Sequence, residues 1–136
     1  MSNRFVLFIF SVWLHAKLER WHNIVFRDFC YSYDVAEGII RALYFGTGRG
    51  FVNLGSGVET TIRDLVETLH EVVPFNYVFD DTKPSGFPRR VMDISYAKEL
   101  IDYDPQTNLL EGLTETWEWF MEHKEEYLNR KNYFNE

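Results

Sequence analysis

Two rhythms of apolar and polar positions alternate along this chain. Short runs rich in aromatic and β-branched residues, "NIVF", "RDFCY", "GFVNL" and "NYVFD", are each bounded by turn formers and predict strands. Between them the period lengthens to that of a helix. In "DVAEGIIRAL" the residues Val35, Ala36, Ile39, Ile40 and Leu43 share one face, Asp34 stands as N-cap with Glu37 three residues on, and the glycines of "FGTGRG" end the segment. Ile62, Leu65, Val66, Leu69 and Val73 recur at helical spacing behind a capping pair of Thr61 and Asp64, and Pro74 closes that segment. "SYAKELID" predicts a short helix capped by Ser95. A long helix follows in "NLLEGLTETWEWFMEHKEEYL", with Asn108 and Glu111 as its box and Leu109, Leu113, Trp117, Phe120 and Met121 as its apolar stripe. The acidic residues there form the wet side, and the polar tail after Tyr127 is expected to fray.

Strands alternating with helices point to an α/β or α+β unit, a lobe of few short strands and about four helices. There is no internal repeat, low-complexity tract or interdomain linker. A chain of 136 residues, 46% hydrophobic, is the size of one domain, and such a domain buries roughly two thirds of its unfolded surface. The start, "MSNRFVLFIFSVWLHA", breaks the pattern. Arg4 followed by the apolar run Phe5 to Leu14 imitates the n-region and h-region of a secretory signal, yet that run falls short of the roughly 20 apolar residues that span a bilayer. A signal peptide, a buried helix and a non-native start are the readings open for it.

The formal net charge of -7 argues against a broad nucleic-acid footprint, which needs a basic face. Cys30 is the only cysteine, so one chain can build neither a disulfide nor a thiolate metal cage, and a reducing cytoplasm fits best. Against this acidic background "DDTKPSGFPRRVMD" stands out. Lys83, Arg89 and Arg90 are gathered there among Pro84, Gly86 and Pro88, on a stiff stretch that is neither helix interior nor central strand. Any anionic ligand of this chain is met locally.

Other motifs are weaker. "LGSGVET" follows a strand and opens a helix, so Gly55 and Gly57 could begin a dinucleotide fingerprint with an acid at Asp80 or Asp81. The third glycine is replaced by Thr60, which favours a plain tight turn. Tyr127 and Lys131 have the Y-x-x-x-K spacing of an acid/base pair, but they lie in a polar tail with no desolvated pocket to tune a phenol, and read as a decoy. His15, His22, His70 and His123 lack metal-ligand spacing and read as solvated helix-surface residues, so no metal site is expected. No G-x-S-x-G elbow or P-loop occurs.

The segments "RDFCYSYDVAEGIIRAL", "FVNLGSGVETTIRDL", "KPSGFPRRVMDISYAKEL" and "TNLLEGLTETWEWF", in this order and spacing, resemble extended short-chain dehydrogenases of the NAD-dependent epimerase/dehydratase family that act on nucleotide sugars, those like GDP-L-fucose synthase in particular. The resemblance covers residues 17–136 and leaves 1–16 as an atypical N-terminal segment. Full enzymes of that kind hold NAD or NADP in a Rossmann domain, carry a catalytic Tyr/Lys pair, and grip the nucleotide diphosphate and sugar with a C-terminal portion. Only that last portion is resembled, so the resemblance implies no cofactor and no catalytic residue in this chain, and a lobe not catalytic alone. Residue by residue it implies substrate binding by Arg27 of R-D-F, by Lys83 of the Lys-Pro-x-Gly loop and by Arg89 of the basic pair Arg89–Arg90. One of that pair could instead meet a carboxylate such as Asp93 or a helix end.

Two positions depart from the family pattern. Tyr31, Ser32, Tyr33 and Asp34 stand where it reads aromatic-Val-Asp-Asp, and Phe26 runs straight into Arg27 where a glycine turn is usual. The implied partners are a nucleotide-diphosphate sugar and a Rossmann-domain chain or a second copy, with no nucleic acid and no membrane. The competing reading is a degenerate non-enzymatic fragment serving as an oligomerisation or interaction module through the uncovered apolar faces of "VAEGIIRAL" and the aromatic N-terminus. An autonomous dehydrogenase using Gly55, Gly57, Tyr127 and Lys131 is the weakest of the readings.

Overall fold

The computed structural model describes residues 25–79 and 86–128. Strand β1, Phe26–Arg27, lies at the centre of a three-stranded sheet of order β2-β1-β3. Strand β2, Thr60–Thr61, pairs antiparallel with it, Phe26 opposite Thr61; strand β3, Arg89–Arg90, pairs parallel, Phe26 opposite Arg89 and Arg27 opposite Arg90. The Phe26 N–H donates to Pro88 O at 2.9 Å and the Ile62 N–H to Val25 O at 3.1 Å, which lengthens the ladder by one bond on each side. Pro88 sits next to an edge strand, where its missing N–H is not needed.

The predicted strands are only partly realised. "NIVF" and "RDFCY" meet in β1, while "GFVNL" and "NYVFD" join no ladder among the described residues. Their side chains explain why both read as strands. Val52 and Leu54 pack as an extended coil on the cluster Ile94, Ala97, Ile101 and Tyr103. Phe75, Tyr77 and Phe79 alternate inward onto Val25, Ile62 and Val66, with ring centroids 5.7 and 5.5 Å apart in sequence. The period of two serves packing there without backbone pairing.

Four helices follow the predicted order: α1, Ser32–Phe45; α2, Ile62–Val72; α3, Ser95–Ile101; and α4, Leu109–Leu128. Helix α2 has the complete capping box: Thr61 Oγ1 accepts the Asp64 N–H, and the Asp64 carboxylate accepts the Thr61 N–H, each at 2.9 Å. Ile62, Val66 and, just beyond the helix, Val73 are buried on its predicted face. In α4, Asn108 Oδ1 accepts the Glu111 N–H at 3.0 Å as the box requires, whereas the Glu111 carboxylate returns to Asn108 Nδ2, at 3.4 Å, instead of the backbone. Leu113 and Phe120 are buried, and Met121 falls off the stripe into solvent.

The expectations for α1 and α3 need correction. Helix α1 starts at Ser32, so Asp34 is not its N-cap. Asp34 lies buried in the first turn, where its carboxylate accepts the N–H groups of Gln106 and Thr107 at 3.3 and 3.2 Å. Those two amides belong to the segment leading into α4, so the acid ties two distant segments together and satisfies donors that burial would otherwise orphan. Ser95 is the first helical residue of α3; the oxygen that caps it is Asp93 Oδ1, accepting the Ser95 N–H at 3.0 Å and its hydroxyl at 2.6 Å. Helix α3 ends on Asp102 in the left-handed region, φ 52°, with the Tyr103 N–H reaching back to Ala97 O.

Two small cores result, one around Tyr103 and one around Val66. Helix α1 meets the first through Gly38, where an added Cβ would stand 2.8 Å from both the Leu54 side chain and the Tyr103 ring. Its large apolar residues point away: Ile39, Ile40 and Leu43 are 51%, 54% and 71% exposed. No helix among the described residues is long and apolar enough to cross a membrane.

Candidate anion-binding site

Strand β1 carries Arg27 between two kinds of anchor. Its neighbour Asp28 is the hub of the surrounding loops: Oδ1 accepts the Ser56 N–H and the Ser56 hydroxyl, each at 2.7 Å, and Oδ2 accepts the N–H groups of Gly57 and Met92 at 3.0 and 3.1 Å. A carboxylate with four donors is a strong clasp. It fastens β1 to the glycine turn and to the residues that follow β3.

This geometry decides the incomplete fingerprint. The amides of Ser56 and Gly57, which would face a pyrophosphate, are taken by Asp28. Gly55 lacks a Cβ where one would come within 2.7 Å of Asp28 Oδ2 and 2.9 Å of Met92, so the glycine serves the approach of a protein carboxylate. The turn does not fit a dinucleotide. Lys131 lies outside the described residues, and with it the geometry of the Tyr127–Lys131 pair.

The Arg27 guanidinium, half-buried, donates from Nη1 to Phe26 O at 2.7 Å and to Phe87 O at 3.0 Å. Arg90, its partner in register, lies with its guanidinium 4.9 Å above the Phe87 ring. One residue, Phe87, thus supports both cations, by its carbonyl and by its ring. Among the described residues neither Arg27 nor Arg90 pairs with a carboxylate. Like charges opposite one another on adjacent strands repel, and an anion between them relieves this.

Arg89 differs. Its Nε and Nη2 both meet Glu59 Oε1, at 2.7 and 2.5 Å, in an exposed ion pair. The carboxylate it found is Glu59 and not Asp93, which is spent on Ser95. Lys83 lies outside the described residues. The structure therefore brings Arg27, Arg89 and Arg90 to two adjoining strands, with Arg89 already answered by an acid.

Burial, and then hydrogen bonding to Cys30, pushes the Tyr103 phenol up; burial likewise raises the Cys30 thiol, and burial followed by the Glu115 carboxylate raises Tyr31. All three groups stay protonated at neutral pH. Tyr103 donates to Gly55 O at 3.0 Å and Tyr31 to Glu115 at 2.6 Å, so both phenols are fastenings. His70 lies on the exposed surface of α2, as expected, where its Nδ1 accepts the Phe75 N–H at 3.2 Å, and His123, half-buried on α4, stacks on Trp119; His15 and His22 lie outside the described residues. No cluster of metal-ligating groups occurs among the described residues.

Comparison with known proteins places this frame. The chain is 41% identical over 98 residues to the probable GDP-L-fucose synthase 1 of Oryza sativa subsp. japonica, a match covering 71% of this chain and 30% of the relative. Its fold matches the epimerase Mth375 of Methanothermobacter thermautotrophicus with a TM-score of 0.74 at 25% identity, over 91% of this chain and 38% of that one. The enzyme WbmF of Bordetella bronchiseptica, in complex with NAD+ and UDP, matches with a TM-score of 0.64 at 27% identity, over 76% of this chain and 31% of that one. Over most of its length this chain matches a portion of the extended short-chain dehydrogenases of the NAD-dependent epimerase/dehydratase family. It spans about 30% of the length of the curated relatives it matches best. No family model matches it.

Within this portion of the fold, reasoning from residues alone missed Asp28 and undervalued Arg90. The signal for Asp28 was present in R-D-F beside the unexplained glycine turn: a turn rich in free amides calls for an anion, and the chain supplies its own. Arg90 became visible only with the parallel register of β1 and β3.

Proposed function

We propose that this chain is the nucleotide-sugar-binding portion of a GDP-L-fucose synthase-like epimerase, dehydratase or reductase, holding the diphosphate of a nucleotide sugar with Arg27, Arg89 and Lys83. The observation that supports the reading is the in-register pair Arg27 and Arg90 on adjacent strands, neither paired with a carboxylate among the described residues, shortly after Lys83 in the sequence. A diphosphate concentrates charge at one point and suits planar guanidinium donors on strands already fixed by Asp28. Arg89 leaves the opposite face of β3 from Arg90, so it reaches a diphosphate held by Arg27 only by releasing Glu59 and turning around the edge of the sheet. Its bond to Glu59 is solvent-exposed, so that release is cheap. Redox chemistry requires a cofactor-bearing half supplied by a separate Rossmann chain or by further sequence, and the single cysteine agrees with a cytoplasmic setting.

Titration calorimetry with GDP and UDP tests this. Either nucleotide should bind, and Lys83→Ala should weaken binding by about 10- to 100-fold, the loss of one charge-assisted contact. NADH should give no fluorescence change. The absence of diphosphate binding at millimolar nucleotide, or a Lys83→Ala affinity equal to that of the parent, would overturn the reading.

A further inference from the structure

Phe87 is a large apolar residue that belongs to neither core. It stands two residues before β3 and is 67% exposed. Both of its polar faces are taken by cations: the carbonyl accepts Arg27 Nη1 at 3.0 Å, and the Arg90 guanidinium lies 4.9 Å from the ring centroid. We infer that Phe87 is a positioning residue for the candidate anion site, holding the Arg27 and Arg90 side chains in place before an anion arrives. The inference rests on the reading of those two arginines as a contact for a diphosphate.

Strand register creates the need. Arg27 and Arg90 stand opposite one another in the parallel pair β1 and β3, so they leave the same face of the sheet, with Cα atoms about 5 Å apart at the ordinary strand spacing. Two cations on flexible stems at that spacing repel and swing apart unless something holds them. An anion that had to gather them would bind less tightly. A carboxylate could hold an arginine equally well, but it would then compete with the ligand, as Glu59 does at Arg89. An aromatic face and a carbonyl oxygen attract a guanidinium without neutralising it, and its remaining N–H groups stay open to a second partner. The backbone that presents both contacts is itself fixed, because the Phe26 N–H donates to Pro88 O at 2.9 Å and proline restricts the chain there. Charge, and not packing, accounts for this exposed ring.

Calorimetric titration of the full chain with GDP and with inorganic pyrophosphate tests the assignment in the parent, Phe87→Leu and Phe87→Tyr. Each variant keeps the carbonyl, and only leucine removes the π face. Phe87→Leu should weaken both ligands by about 2- to 5-fold, the range of an exposed cation–π contact, whereas Phe87→Tyr should match the parent. Arg90→Ala should weaken them by about 10-fold or more. Adding Phe87→Leu to Arg90→Ala should change nothing further, because the ring acts through Arg90. The Phe87 side chain is exposed, so urea midpoints of the parent and both Phe87 variants should coincide. Equal affinities of the parent and Phe87→Leu overturn the inference and leave the diphosphate reading standing. So does a Phe87→Tyr variant as weak as Phe87→Leu, or a loss on Phe87→Leu that persists in full once Arg90 is alanine. A parent that binds neither GDP nor pyrophosphate overturns both together.

Discussion

Helices α2 and α1 both carry apolar periods, the stronger in α2, and use them in opposite ways. In α2 the large apolar residues face inward, Ile62 and Val66 are buried, and the start is sealed by the reciprocal bonds of Thr61 and Asp64. In α1 the inward face holds a glycine, an alanine and an aspartate, while isoleucine, leucine and tyrosine face out. The difference shows that periodicity reports one-sidedness and not which side meets this chain. A helix anchored by a close backbone approach and one buried carboxylate keeps its hydrophobic surface for something else.

The sharpest way to break this comparison is to truncate one isoleucine on each helix. Ile62→Ala removes a buried side chain from the core around Val66 and should lower stability by about 2–5 kcal/mol. Ile40→Ala should change it by no more than about 0.5 kcal/mol, the usual range for an exposed site. Urea denaturation of both variants gives the answer. Equal losses would mean that α1 packs through its large residues after all.

A smaller effect separates the anchors. Gly38→Ala gains helix propensity of about 1 kcal/mol, yet its methyl would meet Tyr103 and Leu54 at 2.8 Å. Tyr103 is 2% exposed and bonded to Gly55 O, so it has little freedom to yield. Overpacking of about 1–3 kcal/mol should win, leaving a net loss near 1 kcal/mol and a shifted urea midpoint with an unchanged slope. A stabilised variant would show that the contact is looser than the coordinates place it.

These contrasts also mark what was legible in the amino-acid order. The caps of α2 and α4 are local, three residues apart, and follow from hydrogen-bonding chemistry alone. Asp34 read as a cap for the same local reason, but its partners lie 72 and 73 residues away, where no local rule reaches. The glycine turn at 55–57 was rightly distrusted as a cofactor loop; that Asp28 fills it needed the fold. Arg27 and Arg89 were singled out through the resemblance to the family, whereas the lateral pairing of Arg27 with Arg90 is a property of strand register between segments some sixty residues apart. Strand prediction failed where it did because Phe75, Tyr77 and Phe79 obey the side-chain rhythm of a strand without a neighbour to complete it.

The finest test of the comparison is the pH response of the two helix starts. Asp64 sits below the usual carboxylate range, chiefly because the Thr61 hydroxyl and then its N–H bond the charged form. Tyr31, the residue of α1 that corresponds to Thr61, makes no side-chain cap. A folded value depressed below the unfolded one stabilises fully above the unfolded value of 3.8, and that contribution is lost as pH falls through the lower, folded value. Asp64→Asn should therefore cost about 0.5 kcal/mol near neutrality, an amount kept small by solvent screening and reflecting the lost charge at a helix N-terminus. The gap between parent and variant should hold down to about pH 4 and close in stronger acid, as thermal melts in a pH series would show. A gap that persists unchanged in strong acid would mean that Asp64 supports α2 by hydrogen bonding alone, with its charge contributing nothing.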